Sequence, residues 1–135
     1  MAEGYFKLLC EQAGVSNYVV SSAGTCTYEG APVAAHSVAA LTEFGIDISN
    51  HTSLSLSHKV VDDADCIIAM SLNHKLQLSQ YFPKSLAKTA LLLEFVNKND
   101  NIADPVGGSQ AEYNACFAEM KPALENLFLD LNTAE

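Results

Sequence analysis

Cys66-Ile67-Ile68-Ala69-Met70 and Thr89-Ala90-Leu91-Leu92-Leu93 are two five-residue segments, the first apolar throughout and the second apolar from Ala90 on. Runs of this length with no polar alternation mark strands covered on both faces, as in a parallel sheet flanked by helices. Between them, Leu72 to Gln80 has helical spacing, and Pro83 ends it. Strand, helix, strand is the crossover unit of a parallel pair. Outward on the N-terminal side, Tyr18-Val19-Val20-Ser21-Ser22 is β-branched and aromatic, which predicts a third strand. The expected fold class is α/β: a three-layer α/β/α domain around a parallel sheet.

The remaining segments fit that frame. Ala2 to Ala13 reads as a helix with Phe6, Leu9, Cys10 and Ala13 on one face, and Gly14 stops it. Residues 23–32 form a loop by their Gly and Pro content, and a second helix is expected from about Ala34 to Phe44, with Val38 and Leu41 inward. A short helical turn follows Ser57. The last helix carries the stripe Tyr113, Cys116, Phe117, Met120, Leu124, Leu127, Phe128 and Leu131. Pro122 lies off that stripe and should kink the helix or split it in two. There are no repeats or low-complexity linkers, so residues 1–135 form a single domain.

Sixteen acidic residues against seven basic ones give a net charge of −9, which repels phosphate backbones and anionic lipids. Nucleic-acid and membrane-surface partners are therefore not expected. No apolar run is long enough to cross a bilayer. Met1-Ala2-Glu3-Gly4 lacks a basic n-region, so no secretory signal is read and a cytoplasmic setting is expected. Cys10, Cys26, Cys66 and Cys116 show no paired spacing, which argues against a zinc site or a disulfide framework. Cys66 in an apolar strand, Cys116 on a helix stripe and Cys10 read as small core hydrophobes. His36, His51, His58 and His74 show no converging metal-ligand spacing, and no cofactor is implied.

Ala103-Asp104-Pro105-Val106-Gly107-Gly108-Ser109 is the segment with most chemistry in it. A residue before proline is held extended, and glycines let the chain turn without a Cβ penalty. Ser109 with Glu112 three residues on has capping-box spacing for the last helix. By these residues alone, a solvated turn carboxylate is the commoner reading of Asp104.

The order and spacing of several stretches resemble the low-molecular-weight protein-tyrosine phosphatase family over nearly the whole chain. They are Met1-Ala2-Glu3-Gly4, Ser22-Ala23-Gly24-Thr25, Ala39-Ala40-Leu41 through Gly45-Ile46-Asp47, His51, Ala64-Asp65, Ala69-Met70 and Asp104-Pro105 with Gly107-Gly108-Ser109. The resemblance implies hydrolysis of a protein phosphotyrosine or phosphoarginine through a phosphocysteine intermediate, with a phosphoprotein as substrate. It implies Asp104 as general acid, with Tyr28, Pro105 and Val106 bounding the substrate cleft. His51 resembles a family histidine with a structural hydrogen-bonding role. The Asp104 loop, Ala69-Met70 and His74-Lys75 lean towards the bacterial branch that includes protein-arginine phosphatases.

In that family, Met-Ala-Glu-Gly resembles the residues that follow the first strand and a Cys-x5-Arg phosphate loop. All seven basic residues here are lysines, so no Cys-x5-Arg exists in the chain. The family sheet normally has four strands; three are expected here because the first, central one is absent. Neighbouring strands sit about 4.8 Å apart, so a missing inner strand would leave a gap of roughly 10 Å. The domain is accordingly expected to be N-terminally incomplete and catalytically incompetent as it stands. One alternative is a non-catalytic module that completes its sheet with a partner strand or a second copy of itself. An arsenate-reductase-like enzyme is a weaker one, because none of the four cysteines looks poised as a resolving thiol.

Overall fold

The computed structural model describes residues 1–25 and 29–133. Three α-helices precede a strand–helix–strand unit and a last helix: α1 (Ala2–Ala13), α2 (Ala35–Thr42), α3 (His58–Asp63), β1 (Ile67–Ala69), α4 (Leu72–Tyr81), β2 (Thr89–Leu91) and α5 (Gln110–Thr133). Single 3-10 turns at Pro83–Lys88 and Leu92–Val96 flank β2. β1 and β2 pair in parallel with Ile67 opposite Thr89 and Ala69 opposite Leu91, and α4 is their crossover. The α/β class and the crossover unit follow the two apolar runs from which they were read.

The strand count does not. Among the described residues the sheet has two strands of three residues each, not three strands, and it does not by itself define three layers. Tyr18–Ser22 makes no ladder, and the region's nearest approach to a strand is an isolated parallel bridge between Gly24 and Ser55. β-branched composition suits a pleated, half-buried surface but cannot supply a neighbour to pair with. Val19, the second residue of that run, is 99% exposed. Cys66 lies outside β1 and is exposed, so it is not the core residue expected. Leu92 and Leu93 leave the strand for the 3-10 turn, yet both are fully buried.

The core lies where α1, α2 and the Leu92–Val96 turn meet α5. Phe117 is its centre, with Tyr5 edge-on at 5.3 Å and Phe44 at 5.0 Å between ring centroids. Such edge-to-face pairs add about 0.5–1.5 kcal/mol beyond the area they bury. On the α5 stripe Tyr113, Phe117, Met120, Leu124 and Leu127 are buried, while Cys116, Phe128 and Leu131 are partly so.

Pro122 neither splits nor ends α5, which runs unbroken for 24 residues. Proline removes one bond, the one its N–H would have made to the carbonyl of Ala118, and both residues lie on the exposed face. Water can take the freed carbonyl there, while the buried face holds the helix together.

The end of α3 is closed from a distance. Lys88, just before β2, donates from its ammonium to the carbonyls of Val61 at 2.7 Å, Ala64 at 2.5 Å and Asp62 at 3.5 Å. These carbonyls belong to the last turn of a short helix and its cap, where intrahelical partners run out; Val61 also accepts the N–H of Ala64 at 3.3 Å.

Candidate functional site

The Asp104 loop is mounted at the carboxyl end of β1. Ile102, itself buried, donates its N–H to the carbonyl of Met70 at 2.8 Å, and the Asn101 side chain accepts from the N–H of Leu72 at 2.6 Å. The chain thus enters the loop tied both to the strand end and to the start of α4. In parallel α/β sheets this edge is where ligand-binding loops gather.

Within the loop, Asp104 Oδ1 accepts the N–H of Val106 at 3.0 Å, an Asx turn that orients the carboxylate. Pro105 accepts the N–H of Gly108 at 2.8 Å, which closes a four-residue turn. Gly107 stands at its third position with φ +78°, a conformation open to glycine at no steric cost. Gly108 is required for a different reason: a Cβ there would collide with the Glu112 carboxylate and the Pro105 carbonyl. Glu112 therefore folds back over the loop, and its own N–H bonds Ser109 Oγ at 3.3 Å, the cap expected from the Ser-x-x-Glu spacing.

Asp104 is exposed, Pro105 is half-buried and Val106 is 75% exposed. Tyr28 lies outside the described residues. Beneath the loop, Cys116 points its thiol at the carbonyl of Ala103 at 3.6 Å. Burial first, then the charges of Glu119 and Asp104, push that thiol's pKa up, opposed by the Met1 amine. The interactions of this one thiol place the start of α1, the Asp104 loop and α5 side by side. Cys10 is buried, and its pKa is also raised by burial. Neither thiol has the thiolate character that a nucleophile requires.

A second convergence lies on the first turn of α1. Glu3 accepts from Lys7 at 2.8 Å and from the Ser22 hydroxyl at 2.8 Å, and His51 Nδ1 stands 3.6 Å away. Burial pushes the Glu3 carboxyl up, but the bonds from Lys7 and Ser22 and the nearby Lys7 and His51 charges outweigh it, leaving the pKa below the usual range. Three of the stretches that carried the family resemblance thus meet at one carboxylate. His51 meets Glu3 at ion-pair distance, not through the hydrogen bond that the family resemblance implied.

Sequence reasoning missed the contact between the starts of α2 and α5. His36 Nδ1 lies 2.8 Å from Gln110 Oε1, and Gln110 Nε2 donates to the His36 carbonyl and to Asn114 Oδ1, each at 2.9 Å. Partners 74 positions apart leave no mark in local spacing. Two concavities lie elsewhere: one of about 390 Å³ along α1 and residues 45–51, another of about 400 Å³ between the Leu92–Val96 turn and α5. Neither is lined by Asp104. Among the described residues no three His, Cys, Asp or Glu side chains converge to hold a metal ion, and no helix is long and apolar enough to cross a membrane.

Comparison with known proteins agrees with the resemblance. The chain is 33% identical over 128 residues to a protein-arginine phosphatase of Geobacillus stearothermophilus, covering 94% of this chain and 86% of that one. It superposes on the low-molecular-weight protein tyrosine phosphatase of T. tengcongensis with a TM-score of 0.89 at 31% identity, covering 96% of this chain and 88% of the other. Arsenate reductase 1 of Staphylococcus epidermidis is 28% identical over 125 residues, covering 93% and 82%. Residues 1–135 match the family pattern described as low molecular weight phosphotyrosine protein phosphatase, and the chain belongs to that family.

Proposed function

We propose that this domain serves the removal of phosphate from a phosphoprotein, with phosphoarginine favoured over phosphotyrosine by the relatives it is most similar to. The observation that carries this reading is Asp104: its carboxylate is oriented by the Val106 N–H in a loop tied to the carboxyl end of β1. In the family's route a thiolate attacks phosphorus while an acid protonates the departing oxygen or nitrogen. The same carboxylate then takes a proton from the water that displaces the cysteine from phosphorus. Asp104 fits both proton transfers, with Pro105, Val106 and Tyr28 as walls of the cleft.

The thiolate and the gripping arginine are another matter. The chain has no arginine, and Cys10 and Cys116 have thiols made less acidic by their surroundings. We therefore read the 135 residues by themselves as inactive, because the family's reaction requires a thiolate and an arginine that they do not supply. The raised thiols count equally against an arsenate-reductase reading. A second reading, a module that accepts a strand from a partner or a second copy, draws on Val19, which is almost wholly exposed in a segment without a ladder. Sedimentation that finds a well-folded monomer would count against it.

The test is to assay the purified 135-residue chain on an aryl phosphate and on a phosphoarginine protein at high enzyme concentration. No turnover is expected. Turnover abolished by Cys10→Ser would overturn the reading, because Cys10 would then be a nucleophile.

A further inference from the structure

Two described segments run directly into helices whose starts touch. Residues 29–34 lead into α2, and the Asp104 loop, residues 103–109, leads into α5. His36 is the second residue of α2 and Gln110 the first of α5, so their contact joins the two mounts rather than two mid-helix faces.

The hydrogen-bond pattern assigns every proton in that contact. Gln110 Nε2 faces two oxygens, the His36 carbonyl and Asn114 Oδ1, which can only accept from it as placed. A flipped amide would set oxygen against oxygen at the His36 carbonyl. The amide oxygen must therefore face the imidazole, and His36 must carry its proton on Nδ1 to donate across the 2.8 Å gap. The amide and the His36 residue close a ring of two bonds, side chain to side chain and side chain to backbone. The imidazole also rests on Tyr113, with ring centroids 5.3 Å apart. An exposed histidine in water has no need of such fixation.

We infer that His36 and Gln110 are positioning residues, a clamp that holds the starts of α2 and α5 at a set separation and so fixes the Asp104 loop relative to α2. Its bearing on catalysis rests on Asp104 being the acid, but the clamp itself is testable without turnover. The rival explanation is an ordinary packing contact between α2 and α5. That would stabilise both helices evenly and leave the loop's internal bonds as they are.

The experiment is ¹⁵N NMR and amide hydrogen exchange on the full 135-residue chain, with Gln110→Ala, Gln110→Glu and His36→Ala. In the unsubstituted chain the His36 imidazole should show the Nδ1–H tautomer, the minor form of a free histidine. In Gln110→Ala that signature should vanish, and the Val106 and Gly108 amides should exchange about fivefold faster, the scale of one lost hydrogen bond. The Met120 and Leu124 amides, in the middle of α5, should stay within about twofold. Gln110→Glu keeps an acceptor for Nδ1 and should recover the tautomer, but not the full protection of the loop. His36→Ala should speed the same two loop amides, which gives an independent reading if Gln110→Ala folds poorly. An Nε2–H tautomer in the unsubstituted chain would overturn the clamp. So would loop exchange that is unchanged, or that rises only in step with all of α5. None of these readouts depends on phosphatase activity, so the clamp and the proposed function can fail separately.

Discussion

Asp104 and Glu3 are both carboxylates held by hydrogen bonds, to different ends. Asp104 is oriented by one backbone N–H and remains exposed, the condition for a group that must meet a substrate and exchange a proton. In a form of the protein that supplies the nucleophile and arginine, Asp104→Ala should lower the rate roughly 10²–10⁴-fold, the usual range for a positioned acid. An unchanged steady-state rate would remove it from the mechanism. Glu3 is instead a structural hub whose folded pKa is depressed. Its contribution to stability is therefore complete above its unfolded value, 4.5, and is lost as pH falls through the lower folded value. Glu3→Gln should flatten the acid arm of a stability-against-pH curve between about pH 5 and 3, measured by urea unfolding. A curve parallel to that of the unsubstituted chain would show that Ser22, Lys7 and His51 do not favour the charged form. At this scale the sequence was informative wherever the signal was local. The Asp104 turn and the Ser109 cap depend on residues two to four apart and were legible. The Glu3 hub and the His36–Gln110 contact bring together residues 19 to 74 positions apart, and no spacing rule reaches that far.

Elements were legible in proportion to how much of their stabilisation is internal. Helix α1 with its Gly14 stop, α4 ended before Pro83, and the apolar stripe of α5 all followed from periodicity and breakers. Tyr18–Ser22 failed because a strand is a relation between two segments and its composition describes only one. Pro122 does not split α5 for the opposite reason: packing along the helix overrides a local rule whose penalty falls on the solvent face. Pro122→Ala should restore the missing bond to Ala118 and stabilise the protein by about 1–2 kcal/mol. That is less than the full interior-proline penalty of about 3 kcal/mol, because the exposed carbonyl is already hydrated and the unfolded chain gains freedom. Thermal unfolding reads the change directly. A lower midpoint in the variant would mean that the proline is needed in its own right.

Over the whole molecule, the sheet is the smallest part of the structure and the helices are the core. Phe117 and Leu41 gather α1, α2 and α5 around the Leu92–Val96 turn, and this cluster holds the Asp104 loop on one side and Glu3 on another. The fold class was legible because two apolar runs and a crossover suffice to imply it. Strand number was not, because it depends on which segments find neighbours. One contact also bears on the order of assembly. Lys88 satisfies carbonyls 24 to 27 residues earlier, at the end of α3, and it can reach them only when β1, α4 and β2 have closed. A six-residue helix is too short to persist by itself in water, and closing so long a loop costs entropy before the contact is made. The expected order of folding events therefore puts α3 after the crossover unit, with the lysine that precedes the second strand securing the helix before the first one.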